Sequence, residues 1–229
     1  MKSHPALLMM DLINEIVHPD GKYAGDGYYQ QVSERQVLEH AAIALDRART
    51  AGIPVIHVVV GFSGDYAQWP PASPVFAEAR ADRRLVLGTW ATRIHDAVRP
   101  LAGEPVVAKH RVSPFYGTPL EEMLHALRVD TLLLTGVTTD LVVLSAAREA
   151  HDRDYRVEVL ADATATADDA LHETALTLLA RTATVTTVEQ ASPWRSASRH
   201  ASTDRDAGPD QGAVQGMVAQ QGAVSNRSR

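Results

Sequence analysis

The stretch DTLLLTGVTTDLVVLSAAREAHDRDY, residues 130–155, decides the fold. Leu132 to Leu134 form a short, continuous apolar run, the pattern of a strand buried on both faces. Gly136 closes it, Thr138-Thr139-Asp140 reads as a turn, and a helical pattern follows from about Thr139 to Arg153. Strand, turn and helix in that order form one half of a crossover unit. Such a unit belongs in a parallel sheet.

Outward from it the alternation repeats. ALLMM (6–10) and the β-branched IPVIHVVV (53–60) are strands, separated by helical spacing from Tyr28 to Ala51 that Gly52 ends. PVVAK (105–109) is a third strand, and TPLEEMLHALRV (118–129) a helix. YRVEVLAD (155–162) and ATVTTV (183–188) are further strands, with the helix ADDALHETALTLLAR (167–181) between them. The expectation is a three-layer α/β/α fold of Rossmann-like type with a mainly parallel, roughly six-stranded sheet. Gly61 to about Thr89 reads as a long loop with one helical turn, of the kind that often forms a lid.

Domain size fits. The chain's 229 residues, 45% apolar and 22% charged, suit one soluble domain, placed at 1–192. Residues 193–229 are rich in Gly, Ser, Gln and Arg without period, and read as a disordered tail. A net charge of −6 gives no reason to expect nucleic acid or an anionic membrane as partner. The five-residue apolar run near the N-terminus is too short for a signal core or a span, which points to the cytoplasm. The absence of cysteine excludes disulfides, thiolate metal sites and a thiol nucleophile.

Ligands of open parallel sheets bind beyond the carboxyl ends of the strands. Asp11 follows the first strand, Lys109 ends the third, and Gly136 to Val142 follow the fourth, so all three regions converge on one sheet edge. Asp11 and Lys109 either pair structurally or carry chemistry. Because buried pairs contribute little net stability, chemistry is the better account. Thr138 and Thr139 read as helix N-caps, and Asp140 as an acid directed at helix amides. Ser145, one turn deeper in the helix, points away from such a site.

Three regions together, ALLMMDLINEIVHPDG, VVAKHRVSPFYGTPLEEML and GVTTDLVV with its following helix, resemble the signature regions of the isochorismatase-like hydrolases, the nicotinamidase-related cysteine hydrolases. The resemblance runs across about residues 5 to 190. It implies the same three-layer fold, homo-oligomerisation and an Asp-Lys-Cys triad whose first two places fall on Asp11 and Lys109. The third place falls on Val142, which has no lone pair. It also implies a cis peptide before Thr138 and an oxyanion hole from the amides of Thr138 and Val142. Trp90, Phe115 and Tyr116 fall in or beside pocket-shaping segments and are expected to bind substrate, with core packing as the alternative for each.

One branch of that family cleaves vinyl ethers and needs no nucleophilic side chain: a carboxylic acid protonates the enol-ether carbon. Asp11 would be that acid. A nearby lysine works against the role by lowering a carboxylate's pKa, and the Thr-Thr-Asp turn lacks that branch's aromatic and histidine. Two alternatives stand beside it: water activated by Asp11 acting on an amide-like bond, and a silent member that only binds a small molecule. No metal or other cofactor is expected, since Asp65 has no accompanying histidines. His57 reads as a core histidine. Arg83, Arg84 and Arg111 are candidate carboxylate binders, with exposure preferred for the pair at 83–84. Asp162 reads as structural.

Overall fold

The computed structural model describes residues 3–194. Its strands are β1 (Pro5–Met10), β2 (Val55–Val60), β3 (Val106–Lys109), β4 (Thr131–Val137), β5 (Arg156–Ala165) and β6 (Thr184–Thr186). They form one sheet in the order β3-β2-β1-β4-β5-β6, with every pairing parallel. The helices are α1 (Asn14–Val17), α2 (Tyr28–Glu34), α3 (Val37–Thr50), α4 (Leu120–Ala126), α5 (Leu144–His151) and α6 (Asp169–Leu179). The expected three-layer α/β architecture is the observed one.

Alternation along the strands explains the layers. Leu7 and Met9 of β1 face a core completed by α2 and α3, through Val32, Ala41, Leu45 and Ala48. Ala6, Leu8 and Met10 face the opposite core, completed by Leu120 and Leu124 of α4, Ala146, Ala147 and Ala150 of α5 and Leu179 of α6. Both faces of β1 and β4 are therefore covered, which is why their sequences are continuously apolar.

One expectation needs correction. The single helix over 28–51 is two helices, because Gln36 adopts φ 53° and breaks the ladder between α2 and α3. The long loop from Gly61 to about Thr89 holds one short 3₁₀ turn, Pro74–Phe76, as expected, and a second, Asp96–Val98, follows it before β3. It folds back on itself: Phe62 and Leu87 exchange backbone bonds with Leu85 and Phe62 at 2.8 Å each, which brings Phe76 and Leu85 over the end of the sheet. The expected tail from 195 onward lies outside the described residues. Trp194 is within them, buried, with its indole N–H donated to the Val188 carbonyl at 2.5 Å.

Glu104 ties the far end of the sheet together. Its carboxylate accepts from Arg49 at 2.7 and 2.8 Å and from the Leu101 amide at 2.8 Å, and lies 3.1 Å from Nε2 of buried His57 in β2. The hydrogen bond from Arg49 is the main reason its pKa falls from 4.5 to about 2. A depressed carboxylate pKa gives stability that is present above 4.5 and lost as pH falls through about 2. We expect Glu104→Gln to remove about 1–3 kcal/mol of stability at neutral pH and to flatten the acid limb. Denaturant melts across that range check it; parallel loss of stability in both proteins would contradict the assignment.

Candidate active site

The strand order reverses between β1 and β4, and the crevice beyond their carboxyl ends is where such sheets bind ligands. Asp11 leaves β1 at φ 54°, a left-handed conformation that Asp tolerates better than most residues, with its amide held by the Val58 carbonyl at 2.9 Å. Lys109 ends β3. Its Nζ lies 2.8 Å from Asp11 Oδ2 and donates to the Arg111 carbonyl at 3.1 Å. Both side chains are almost wholly enclosed.

The other carboxyl oxygen, Asp11 Oδ1, is buried and has no hydrogen-bond partner. Burial raises the Asp11 pKa, and it outweighs the opposing pull of the Lys109 charge and hydrogen bond and of the Val60 amide. The expected obstacle to an acid role, the lysine, is thus overcome by desolvation.

The turn after β4 carries the Val137–Thr138 cis peptide and then a π-helical turn, Thr139–Val143, before α5 begins. The amide of Val143 donates to the Thr138 carbonyl at 3.1 Å, five residues back. The first amides of the turn therefore sit at the cavity end of the helix. Neither threonine caps it. Thr138 Oγ1 is buried without a partner, and Thr139 Oγ1 lies 2.9 Å from Nδ1 of buried His172. Asp140 does not serve the helix amides either; its carboxylate accepts from Thr166 at 2.6 Å.

Asp11, Lys109, Thr138 and Val142 line one cavity of about 90 Å³. Val142 is buried there with nothing polar to offer. The remaining wall comes from Ile16, Tyr23, Tyr28, Phe76, Leu85 and Leu141, with Val75 among the outer residues. Trp90, Phe115 and Tyr116 do not join it. Trp90 is 40% exposed and meets His18 edge-on, and Tyr116 is 66% exposed. Phe115 packs in the core beneath α4 and α5, 6.5 Å from Tyr155 and under the Arg153 guanidinium.

The match to known families is now decisive: the Isochorismatase domain family aligns with residues 5–190. This chain belongs to the isochorismatase family. As an isochorismatase-family hydrolase it is 36% identical over 170 residues to the ureidoacrylate amidohydrolase RutB of Methylorubrum extorquens, covering 69% of this chain and 68% of that protein. It is 31% identical over 171 residues to the RutB of Cronobacter sakazakii, covering 69% and 73%. Among solved structures, N-carbamoylsarcosine amidase from Thermoplasma acidophilum superposes with a TM-score of 0.65 at 30% identity, covering 83% of this chain and 99% of that one. An isochorismatase family protein from Desulfovibrio vulgaris gives 0.73 at 25% identity, covering 82% and 96%.

Other singled-out residues of this isochorismatase-family hydrolase have settled places. Ser145 lies in α5 and does not line the cavity. Arg84 is not a free surface cation: it pairs with Asp26, Glu78 and Asp82 and lies 4.7 Å over the Tyr23 ring. Arg111 donates to the carbonyls of Gln68 and His110. Asp162 accepts from the Val188 amide at 2.9 Å. Asp65 accepts from Ser63 and from the Ala67 amide, and no group of three or more metal-ligating side chains occurs among the described residues.

Tyr23, Tyr28, Phe76 and Leu85 were not marked by the sequence. Tyr23, Phe76 and Leu85 sit in segments without hydrophobic period, and Tyr28 stands at the first residue of α2. The usable signal was compositional: Tyr23, Tyr28 and Tyr29 are half of the chain's six tyrosines and follow closely on Asp11.

Proposed function

We propose that Asp11 performs the proton chemistry of this hydrolase with no covalent protein intermediate, and that its reaction is general-acid cleavage of a small vinyl ether. The carrying observation is Asp11 Oδ1, a buried carboxyl oxygen without a hydrogen-bond partner, on an acid whose pKa is raised. Oδ2 is held by Lys109 and Asp11 lines the cavity, which leaves Oδ1 as the oxygen to carry a transferable proton. Oδ1 delivers that proton to the methylene carbon of the enol ether. The resulting oxocarbenium ion takes up water, the added water returns its proton to Asp11, and the hemiketal collapses to an alcohol and a ketone. Nothing in this sequence asks Val142 to attack, so a valine at the nucleophile's position is tolerated.

A second reading is favoured by the relatives. RutB and N-carbamoylsarcosine amidase are named for hydrolysis at ureido or carbamoyl groups. In that reading an ionised Asp11 activates water against such a group, and amides of the Thr138–Val142 turn steady the oxyanion. The pH profile separates the two. An acid role is complete below the raised pKa of Asp11 and fades as pH rises through it; a base role does the reverse.

The test assays purified protein for ketone release from alkyl isopropenyl ethers and isochorismate, and for ammonia release from a ureido and amide panel, each beside Asp11→Asn. Ketone release that falls with rising pH and vanishes in the variant is the expected result. Amide turnover that appears only in Val142→Cys would make the natural protein a binder on a hydrolase frame and overturn the proposal.

A further inference from the structure

Resting on the reading that this cavity is the reaction site, we infer that the cavity is built for an uncharged, largely apolar substrate and rejects carboxylates at its apolar wall. Among the described residues, Asp11 and Lys109 are the only charged ones that line it, and where Asp11 is ionised their charges cancel at 2.8 Å. Every other lining side chain is aliphatic or aromatic except for the Tyr23, Tyr28 and Thr138 hydroxyls.

The cations nearby are committed elsewhere. Arg84 is taken up by three carboxylates and the outer face of Tyr23. Lys22 Nζ donates to the carbonyls of Asp82 and Arg83 at 2.6 and 3.2 Å, and Arg111 is held by two carbonyls. Among the described residues, none of these three lines the cavity.

Carboxylates also stand near the wall. Tyr28 is a wall residue whose pKa is raised by burial first, and then by the carboxylates of Asp140 and Asp26. Glu15 stands behind Leu85, accepting its amide at 2.5 Å. An anionic group entering here would lose its water and find in the wall no cation but Lys109, which Asp11 already holds. A neutral molecule meets apolar wall and two unpartnered polar atoms, Asp11 Oδ1 and Thr138 Oγ1, which together suit one ether, enol or carbonyl function. Relatives named for ureidoacrylate and N-carbamoylsarcosine act on carboxylate-bearing molecules. This chain departs from them at the substrate's charged end.

The experiment reads binding, so that it does not depend on turnover. Isobutyramide against isobutyrate, and benzamide against benzoate, are titrated into the full-length protein by protein-observed NMR at neutral pH. Each pair differs in charge and hardly in shape. Each amide should bind at least about tenfold more tightly than its carboxylate. Val75→Arg, which adds a cation to the outer wall of the cavity, should improve binding of each carboxylate about tenfold relative to its amide. Equal or tighter binding of the carboxylates by the natural protein overturns the inference, as does failure of either amide to bind. Carboxylates that gain nothing from Val75→Arg overturn it too, by placing the ligand elsewhere. Selective amide binding without any hydrolysis would leave the charge selectivity standing and sink the catalytic reading. Efficient turnover of isochorismate would do the converse.

Discussion

Asp11→Asn should lower turnover by about 10²–10⁴-fold while leaving the fold intact. The amide keeps the shape of the carboxyl group and its oxygen still accepts from Lys109, but it has no acidic proton to give. The variant also leaves Lys109 as a buried charge without its counter-ion, and losing one member of such a pair costs up to about 3–5 kcal/mol. Activity lost through unfolding must therefore be separated from activity lost through chemistry. Asp11→Asn/Lys109→Met does that, because a buried pair replaced by neutral groups is often as stable as the original. The double variant should melt near the natural protein and remain inactive. Recovery of activity along with stability would show that Asp11 serves only to neutralise the lysine.

The same carboxyl group gives a stability signature. Burial raises its pKa in the folded chain above the ordinary 3.8. The unfolded chain then loses this proton first as pH rises. The contribution of Asp11 to stability is complete below 3.8 and is lost progressively from there up to its folded value. Glu104 works in the opposite direction, since its pKa is depressed to about 2. Acid titrations of Asp11→Asn and Glu104→Gln should therefore deviate from the natural protein with opposite slopes. Deviations of the same sign would contradict one of the two assignments.

The legible parts of the molecule are those where chain order and burial dictate pattern. β1, β2 and β4 are covered on both faces, so their apolar runs are continuous and easily found. Asp11, Lys109 and the Thr138 turn could be placed together because crossover topology sends every strand's carboxyl end to one edge. The cavity walls were not legible. Phe76 and Leu85 reach the cavity because the segment after β2 doubles back through Phe62, a contact with no local sequence period. Phe115 follows Lys109 closely in the chain, yet it packs in the opposite core with Tyr155 and Arg153. Proximity in sequence to a catalytic group did not fix the face of the sheet. The Thr138 and Thr139 hydroxyls escaped for another reason: a π-helical turn does not present its cap as an α-helix does.

The largest effect on stability is expected from Gly136→Ala. Gly136 lies in β4 directly opposite Met10, in the pairing that joins the two central strands. Its φ is 120°, a conformation that side-chain-bearing residues rarely adopt. A Cβ there would stand 1.9 Å from the Met10 carbonyl oxygen and 2.7 Å from its carbon. Those are backbone atoms at the centre of a sheet, so no flexible side chain can move aside. Relief requires β1 and β4 to separate, and β1 carries Asp11 immediately after Met10. Steric overlap and backbone strain together should cost about 4 kcal/mol or more, enough to unfold a domain of ordinary stability. Gly52→Ala is the matched control: its φ is 66°, but open space surrounds the added carbon, so it bears the conformational cost without the overlap. It should lose only about 1–2 kcal/mol. If the two variants melt alike, the close approach of β4 to β1 is not what demands glycine, and the placement of Asp11 beside the Thr138 turn loses its structural cause.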